Sequence, residues 1–126
     1  MVIRTHTTGK ITMSAATSEI QLPDVTGKII AVAIKPSGVS TDFVITTTKA
    51  GVTEDIFGTT GGAISVAEEG VIVYPVKAKN LNTTGAALTG DNNIYTPIII
   101  DSSDIDISVS NGAADEYYTV DIIVEE

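Results

Sequence analysis

Apolar and polar residues alternate along several short stretches of this chain, with the period of two that is typical of β-strands. Residues 10–15, 19–22 and 105–110 follow this pattern, and so does the last stretch, 117–125. Residues 28–35 are apolar on both faces, which is typical of a strand buried in the middle of a sheet. No stretch of useful length has the period of a helix, so the pattern predicts a protein built from strands.

Turn-forming residues divide this pattern into about nine or ten short strands, at the spacing typical of sandwiches and barrels. Pro23 ends one predicted strand, Gly27 opens the next, and Pro75 marks an edge strand or a bulge. Residues 105–110 and 117–125 are predicted to pair with each other as an antiparallel hairpin.

These elements predict an all-β fold, an antiparallel two-sheet β-sandwich of the jelly-roll type. An immunoglobulin-like sandwich is the alternative, although the chain lacks the Cys…Trp…Cys core of that fold. The length of 126 residues, without an internal repeat or a linker, predicts a single domain over residues 1–126, with residues 1–8 as a candidate N-terminal arm. Residues 80–93, rich in Asn, Thr and Gly, are predicted to form a long loop.

Composition strengthens the strand prediction and narrows the chemistry. The chain contains 18 Thr, 18 Ile and 13 Val, so β-branched side chains, which favour strands, make up more than a third of it. Charged residues account for 18% of the chain and hydrophobic residues for 43%, which indicates a folded domain and not an acidic disordered segment. The absence of cysteine excludes disulfides and thiolate metal sites.

The net charge of −9 is distributed unevenly along the chain. Residues 1–79 carry seven basic and seven acidic side chains, whereas residues 80–126 carry nine acidic side chains and no basic one. An acidic surface repels phosphate backbones and anionic lipids, so neither nucleic acid nor a membrane is expected as a partner. The distribution predicts that one face of the domain is strongly negative and that another is nearly neutral and rich in threonine.

Three carboxylates form the most concentrated candidate site. Asp101, Asp104 and Asp106 lie within six residues, and the alternation with Ile105 and Ile107 places Asp104 and Asp106 on the same side, away from the core. A cation would relieve the repulsion between them, and calcium prefers several oxygen ligands. A weak calcium site is therefore one interpretation, to which residues 91–93 of the predicted long loop could contribute. A solvated acidic face is the other, and no further cofactor is expected.

Aromatic residues are few, and three of them are candidate contact residues for a partner. Tyr117 and Tyr118 point to opposite faces of one strand, so one ring belongs to the core and the other can anchor an interface. Tyr95 precedes a proline and could line a rim that faces a partner. His6, the only histidine, is interpreted as an exposed residue of the N-terminal strand or arm. The chain has no Gly-x-Ser-x-Gly motif that would supply a nucleophilic serine for it. We therefore predict no enzymatic activity.

Together, several segments of residues 28–126 resemble in pattern the small β-sandwich virion proteins of tailed bacteriophages, particularly the capsid decoration or cement proteins. The segments are IAVAIKP at 30–36, TDFVITT at 41–47, YPV at 74–76, NTTGAALT at 82–89, IDISVSNG at 105–112 and TVDIIV at 119–124.

This resemblance implies a non-enzymatic structural protein that binds the outer surface of an assembled capsid and stabilises the shell. The implied partner is the major capsid protein, the implied location is the virion surface, and a homo-oligomer, trimeric by analogy, is expected. Two alternatives remain open: a carbohydrate- or receptor-binding sandwich of a phage fibre or cell surface, and a tail or head-completion component.

Overall fold

The computed structural model describes residues 2–59, 61–78 and 95–126, and the side chains of residues 77, 78 and 95 are not among the described ones. The described residues form eleven strands and no helix, so the all-β prediction is confirmed. In chain order the strands are β1 (Ile3–Thr7), β2 (Ile11–Thr12), β3 (Ser18–Pro36), β4 (Ser40–Lys49), β5 (Val52–Phe57), β6 (Ile64–Ala67), β7 (Val71–Val73), β8 (Val76–Ala78), β9 (Tyr95–Pro97), β10 (Ile99–Ser110) and β11 (Tyr117–Glu125).

Nine of these strands form one antiparallel sheet, in which the order β1-β11-β3-β10-β4-β5 is the main path. The short strands β2, β6 and β7 pair with β11, β4 and β3 respectively, while β8 and β9 form a separate two-stranded sheet. The antiparallel pairing is as predicted, but hydrogen bonds join the nine strands into a single sheet, where two were expected.

The long strand β3 organises this sheet, because its two parts have different neighbours. Residues 18–28 pair with β10, and residues 28–36 pair with β11. The sheet therefore has two halves. We call residues 18–26 of β3 with β4, β5, β6 and β10 the β10 half, and residues 28–36 of β3 with β1, β2, β7 and β11 the β11 half.

Bulges allow β3 to continue through residues that were expected to end strands. The register with β10 shifts between the pairs Leu22–Ile105 and Val25–Ser103, so Pro23 sits where no ladder hydrogen bond is required of it. Asp24 follows with a φ of 52°, and the prediction of two separate strands on either side of Pro23 is wrong.

The predicted hairpin of the last two strands is also wrong. β10 pairs with β3 and β4, whereas β11 pairs with β1, β2 and β3. The loop after Ser110 therefore leads from one half of the sheet to the other. The alternation had predicted the inward faces of both strands correctly, but inward faces do not determine which strand is the neighbour.

The two halves share one apolar core, although the strands that meet there are not hydrogen-bonded neighbours. Phe43 of β4 and Tyr118 of β11 are fully buried, and their rings pack edge to face with centroids 5.6 Å apart. The sheet thus curves back on itself. The other fully buried large side chains come from both halves and from the residue between β9 and β10: Val25, Val32, Ile34, Ile45, Ile98, Ile100, Ile105, Ile107, Val120 and Ile122.

The N-terminal segment is part of the sheet and not a free arm. Ile3–Thr7 pairs with β11 along its whole length, and the main-chain groups of Val2 and Glu126 exchange two hydrogen bonds beyond it. Arg4 also forms an ion pair with Glu126, with Nε and Oε2 2.6 Å apart.

Candidate functional site

The three aspartates of the predicted calcium site follow one another along β10, but each has different surroundings. Asp106 accepts a hydrogen bond from Gln21 Nε2 at 2.6 Å, and the carboxylate of Asp104 accepts one from the backbone N–H of Asp24 at 3.3 Å. Asp101 is exposed. The register shifts on either side of Ser103 separate Asp101 from the other two along the strand.

Within the described residues, no group of three or more His, Cys, Asp or Glu side chains is placed to hold a metal ion. Residues 91–93, which the sequence suggested as further ligands, lie outside the described part of the chain. The calcium site at Asp101, Asp104 and Asp106 therefore stays a prediction.

The structure sorts charge by sheet half and not by position along the chain. The strand residues of the β10 half include eight acidic side chains and one basic side chain, Lys49; the acidic ones are Glu19, Asp24, Asp42, Glu54, Asp55, Asp101, Asp104 and Asp106. The β11 half is nearly balanced, with Arg4, Lys28 and Lys35 against Asp121 and Glu125.

The predicted division into a negative face from the C-terminal third and a neutral, threonine-rich face from the rest therefore does not hold for the described strands. β11 belongs to the balanced half, and five of the eight acidic residues of the β10 half come from the first 79 residues. Threonine also accompanies the acidic residues, since Thr46, Thr48 and Thr53 lie beside Asp106 along an open depression of about 590 Å³. Among the described residues, no aromatic side chain lines this depression to provide the stacking platform of a typical sugar site.

The outer face of the β11 half, together with the adjoining first residue of β10, is turned away from the shared core and carries exposed apolar side chains. Strand register places Ile3, Glu125, Lys28 and Ile99 in one row across β1, β11, β3 and β10. Ile3 is 57% exposed and Ile99 is 58% exposed. Ile72 of β7, 61% exposed, lies in another row of the same face, opposite Ala33. We call Ile3, Ile72 and Ile99 the isoleucine face.

One ion pair lies within the isoleucine face, whereas Asp121, in the same row as Ile72, has a buried Oδ1 atom without a hydrogen-bond partner among the described residues. Lys28 Nζ lies 3.7 Å from Glu125 Oε1 in the middle of the row that joins Ile3 to Ile99. Tyr74 and Val76, which follow Ile72 along the chain, are exposed as well. The result is a mixed surface, in which exposed apolar side chains stand among nearly balanced charges and can be buried against another protein.

The three tyrosines that were predicted to contact a partner differ in burial. Tyr118 is fully buried and donates or accepts a 2.9 Å hydrogen bond with Ser18 Oγ, so it is a core residue and its assignment to an interface is wrong. Burial raises the pKa of its hydroxyl, and the hydrogen bond to Ser18 partly offsets that rise. Tyr117 is 44% exposed, and Lys10 Nζ lies 4.2 Å from the centre of its ring. Its interface role stays a prediction.

Tyr95 opens β9, where its backbone pairs with Ala78 of β8. Its side chain lies outside the described residues, so the predicted interface role of Tyr95 is untested.

His6 is half-buried in β1 and not exposed as predicted. It pairs with Ile122, whose side chain points into the core, and its Nε2 atom is buried without a hydrogen-bond partner within the described residues. A catalytic histidine needs a nucleophile or a water within hydrogen-bond reach. His6 therefore has no described partner that it could activate.

Asp42 of β4 forms a polar cluster at the surface with Ser65 of β6 and Asn111. Ser65 Oγ and Asn111 Nδ2 donate hydrogen bonds to its two carboxylate oxygens. These bonds favour the ionised form, and the bond from Ser65 is the main cause of a lowered pKa of Asp42. The cluster ties β4 to β6 and to the segment after β10.

The sequence pattern did not identify the isoleucine face. Ile72 stands in the run Val71–Val73 and Ile99 in the run of residues 98–100, where every side chain is apolar and alternation cannot distinguish inward from outward positions. The available signal was that these runs are apolar without interruption. In such a run, one side chain must point away from the core, where it is either covered by another element or exposed.

No helix of the described residues is long and apolar enough to cross a membrane. Comparisons with protein-family models, with curated proteins and with solved structures find no match to this chain.

Proposed function

We propose that this protein is a non-enzymatic structural component of a bacteriophage virion, a decoration protein that binds the outer capsid surface and stabilises the shell. The observation that carries this proposal is the isoleucine face, a set of exposed apolar side chains among nearly balanced charges on one continuous sheet. Burial of such a surface is favourable by about 25 cal/mol per Å². The pattern resemblance to decoration proteins supplies the identity of the partner, the major capsid protein.

The acidic β10 half favours one orientation on the shell. An acidic surface is costly to bury unless the partner is basic, whereas in solvent it keeps particles apart by repulsion. We infer that the isoleucine face packs against the shell and that the β10 half faces the solvent. A homo-oligomer on the shell belongs to the same proposal; the number of copies, three by analogy, rests on the resemblance alone and does not affect the proposed contact.

For the fold, we propose a β-sandwich of the jelly-roll type. The support is the contact between Phe43 and Tyr118, which brings the β10 half and the β11 half face to face around one core. The two halves would then be the two layers, with β3 passing from one layer to the other.

Binding to capsids stripped of accessory proteins tests the proposed function. We expect saturable binding at a fixed ratio to shell subunits, and about tenfold weaker binding by the Ile72→Ser variant, which loses an apolar contact. The matched control is Val52→Ser, which removes a similarly exposed apolar side chain from β5 in the β10 half. The proposal fails if the shells do not bind the protein, or if the control weakens binding as much as Ile72→Ser.

Ionic strength tests the orientation separately. If the neutral isoleucine face makes the contact, raising the salt concentration leaves attachment nearly unchanged, because few charges are screened. Attachment that weakens strongly with salt would instead assign the contact to the β10 half. Retention on a glycan array without affinity for shells would support the carbohydrate-binding alternative.

A further inference from the structure

The outer edge of β1 presents backbone groups that no other described strand uses. Val2 and Glu126 exchange reciprocal hydrogen bonds, and Thr8 N–H donates to the carbonyl of Val120. In an antiparallel ladder such pairs recur at every second residue, so Arg4 and His6 also direct their N–H and C=O groups toward β11. Ile3, Thr5 and Thr7 therefore direct theirs away from β11, toward the open side of the strand.

The other free edges of the nine-stranded sheet carry features that hinder strand addition. β5 is irregular, with a register shift opposite Ile45 and Thr46, and it carries two adjacent acidic residues. Strands β2, β6 and β7 have only two, four and three residues. β1 has five residues in unbroken register, with neither a proline nor a bulge. Proteins commonly block edges with such features, and the only one that β1 carries besides its modest length is Arg4, which is paired with Glu126 of the same chain.

We infer that β1 pairs with β1 of a second copy of this chain, antiparallel and around a twofold axis at Thr5. In that register Thr5 lies opposite Thr5 of the second copy, and Ile3 lies opposite Thr7. Every outward N–H and C=O group of the three residues then has a partner, so the edge is complementary to itself. The β-branched side chains of Ile3, Thr5 and Thr7 form cross-strand pairs on the outer face.

Charge also favours a second copy as the occupant. Arg4 is the one side chain of β1 that is always charged, and Glu126 of its own chain neutralises it. Two copies of β1 therefore approach without strong repulsion. Pairing of two β5 edges would instead bring four carboxylates together, from Glu54 and Asp55 of each copy. The inferred dimer joins two sheets into one continuous sheet across the axis.

This inference does not rest on the proposed attachment to a shell. It concerns the protein in solution, and a twofold dimer differs in mass from the trimer expected by analogy. A trimer would contradict the β1 pairing and leave shell attachment standing. A dimer that does not bind shells would support the β1 pairing and contradict shell attachment.

Sedimentation with the Thr5→Pro and Thr5→Val variants tests the pairing. Proline at position 5 removes an outward N–H and places a ring in the path of the second strand, yet it spares the hydrogen bonds to β11. Valine keeps the N–H and the β-branched shape. At concentrations from about 1 µM to about 1 mM, we expect the unmodified protein and Thr5→Val to reach twice the 13.1 kDa chain mass, and Thr5→Pro to remain at that mass.

A spin label at the twofold axis tests the pairing independently, even if the Thr5→Pro variant does not fold. The chain has no cysteine, so Thr5→Cys provides a single attachment point for a nitroxide. Two labels at the axis broaden each other's spectra, and dilution with unlabelled protein removes that broadening. The same label at Val52→Cys, on the β5 edge, is the control. A monomeric unmodified protein, a dimeric Thr5→Pro variant, or broadening only at position 52 would overturn the inference.

Discussion

Tyr117 and Tyr118 are neighbours in β11, and their side chains have opposite surroundings. The Tyr118 ring packs against Phe43 in the core, and its hydroxyl bonds to Ser18 across 100 residues of sequence. The Tyr117 ring lies at the surface beneath the Lys10 ammonium group. The sequence predicted one core ring and one exposed ring but not which was which. Neighbouring residues of a strand point to opposite faces, and the side chains of both positions are tyrosines, so the pair itself does not show which face is inward.

Substitution of the two tyrosines should therefore have very different costs. We expect Tyr118→Ala to lower the free energy of unfolding by about 3–5 kcal/mol, as a large cavity opens in the core. Tyr117→Ala is the matched control and should cost about 0.5–1 kcal/mol, the value of an exposed cation–π contact. Urea denaturation measures both. Equal losses would mean that Tyr118 is not in the core.

The Asp42 cluster predicts a pH dependence that a titration can follow. Because the pKa of Asp42 is lowered in the folded state, its ionised form stabilises the fold above the pKa of the unfolded chain, near 3.9. That contribution is lost as the pH falls from about 4 through the lower folded pKa. NMR titration of the Asp42 carboxyl should show the low value, and Ser65→Ala should raise it. An unchanged pKa in Ser65→Ala would contradict the assigned cause.

At the scale of strands, β3 shows that pairing with neighbouring strands can continue past residues that usually end a strand. Pro23 and Gly27 predicted a gap between two strands, and the gap is instead a bulged region in one strand of 19 residues. A second bulge lies at Ile30, because Ile123 pairs with Ala31 and the next residue, Val124, pairs with Ile29. This bulge lets Ile29 and Val32 both point into the core. Bulges shift the alternation by one residue, so a strict period of two predicts separate strands where a single bent one exists.

Gly27 is the position in β3 where a side chain should be least tolerated. Its φ is 137°, and a Cβ atom would lie 2.9 Å from the carbonyl oxygen of Glu125 in β11. We expect Gly27→Ala to cost about 2 kcal/mol, from backbone strain and from separation of the two strands. Gly51→Ala is the control, since Gly51 has a φ of 79° but open space around it, and strain alone should cost about 1 kcal/mol.

Thermal unfolding of the two glycine variants measures this difference. A Gly27→Ala variant as stable as Gly51→Ala would contradict the close approach of β3 and β11 at this point.

For the whole molecule, the segregation of charge predicts how stability responds to salt. The strands of the β10 half carry eight acidic side chains and one basic side chain, and these strands are adjacent in the sheet. Their mutual repulsion is screened as the Debye length falls from about 30 Å at 0.01 M to about 8 Å at 0.15 M salt. The melting temperature should therefore rise with salt over this range.

A neutralised variant distinguishes this effect from a general action of salt. Glu19→Gln with Asp106→Asn removes two of the charges around the depression of the β10 half, and it should reduce the salt dependence. Arg4→Gln is the opposite control, because it removes one partner of an ion pair in the balanced half. A melting temperature that falls with added salt in the unmodified protein would contradict the prediction.

The sequence by itself determined the strand content, the inward faces of β10 and β11 and the central place of residues 28–35, because alternation and β-branching act locally. Tertiary structure decided which strands are neighbours, which bulges correct the register, and where charge collects. Pairing depends on contacts between distant residues: β10 lies beside β3 and β4 although β11 follows it in the chain. The isoleucine face arises in the same way, since its three residues come from β1, β7 and β10 and share a surface only after the sheet has formed.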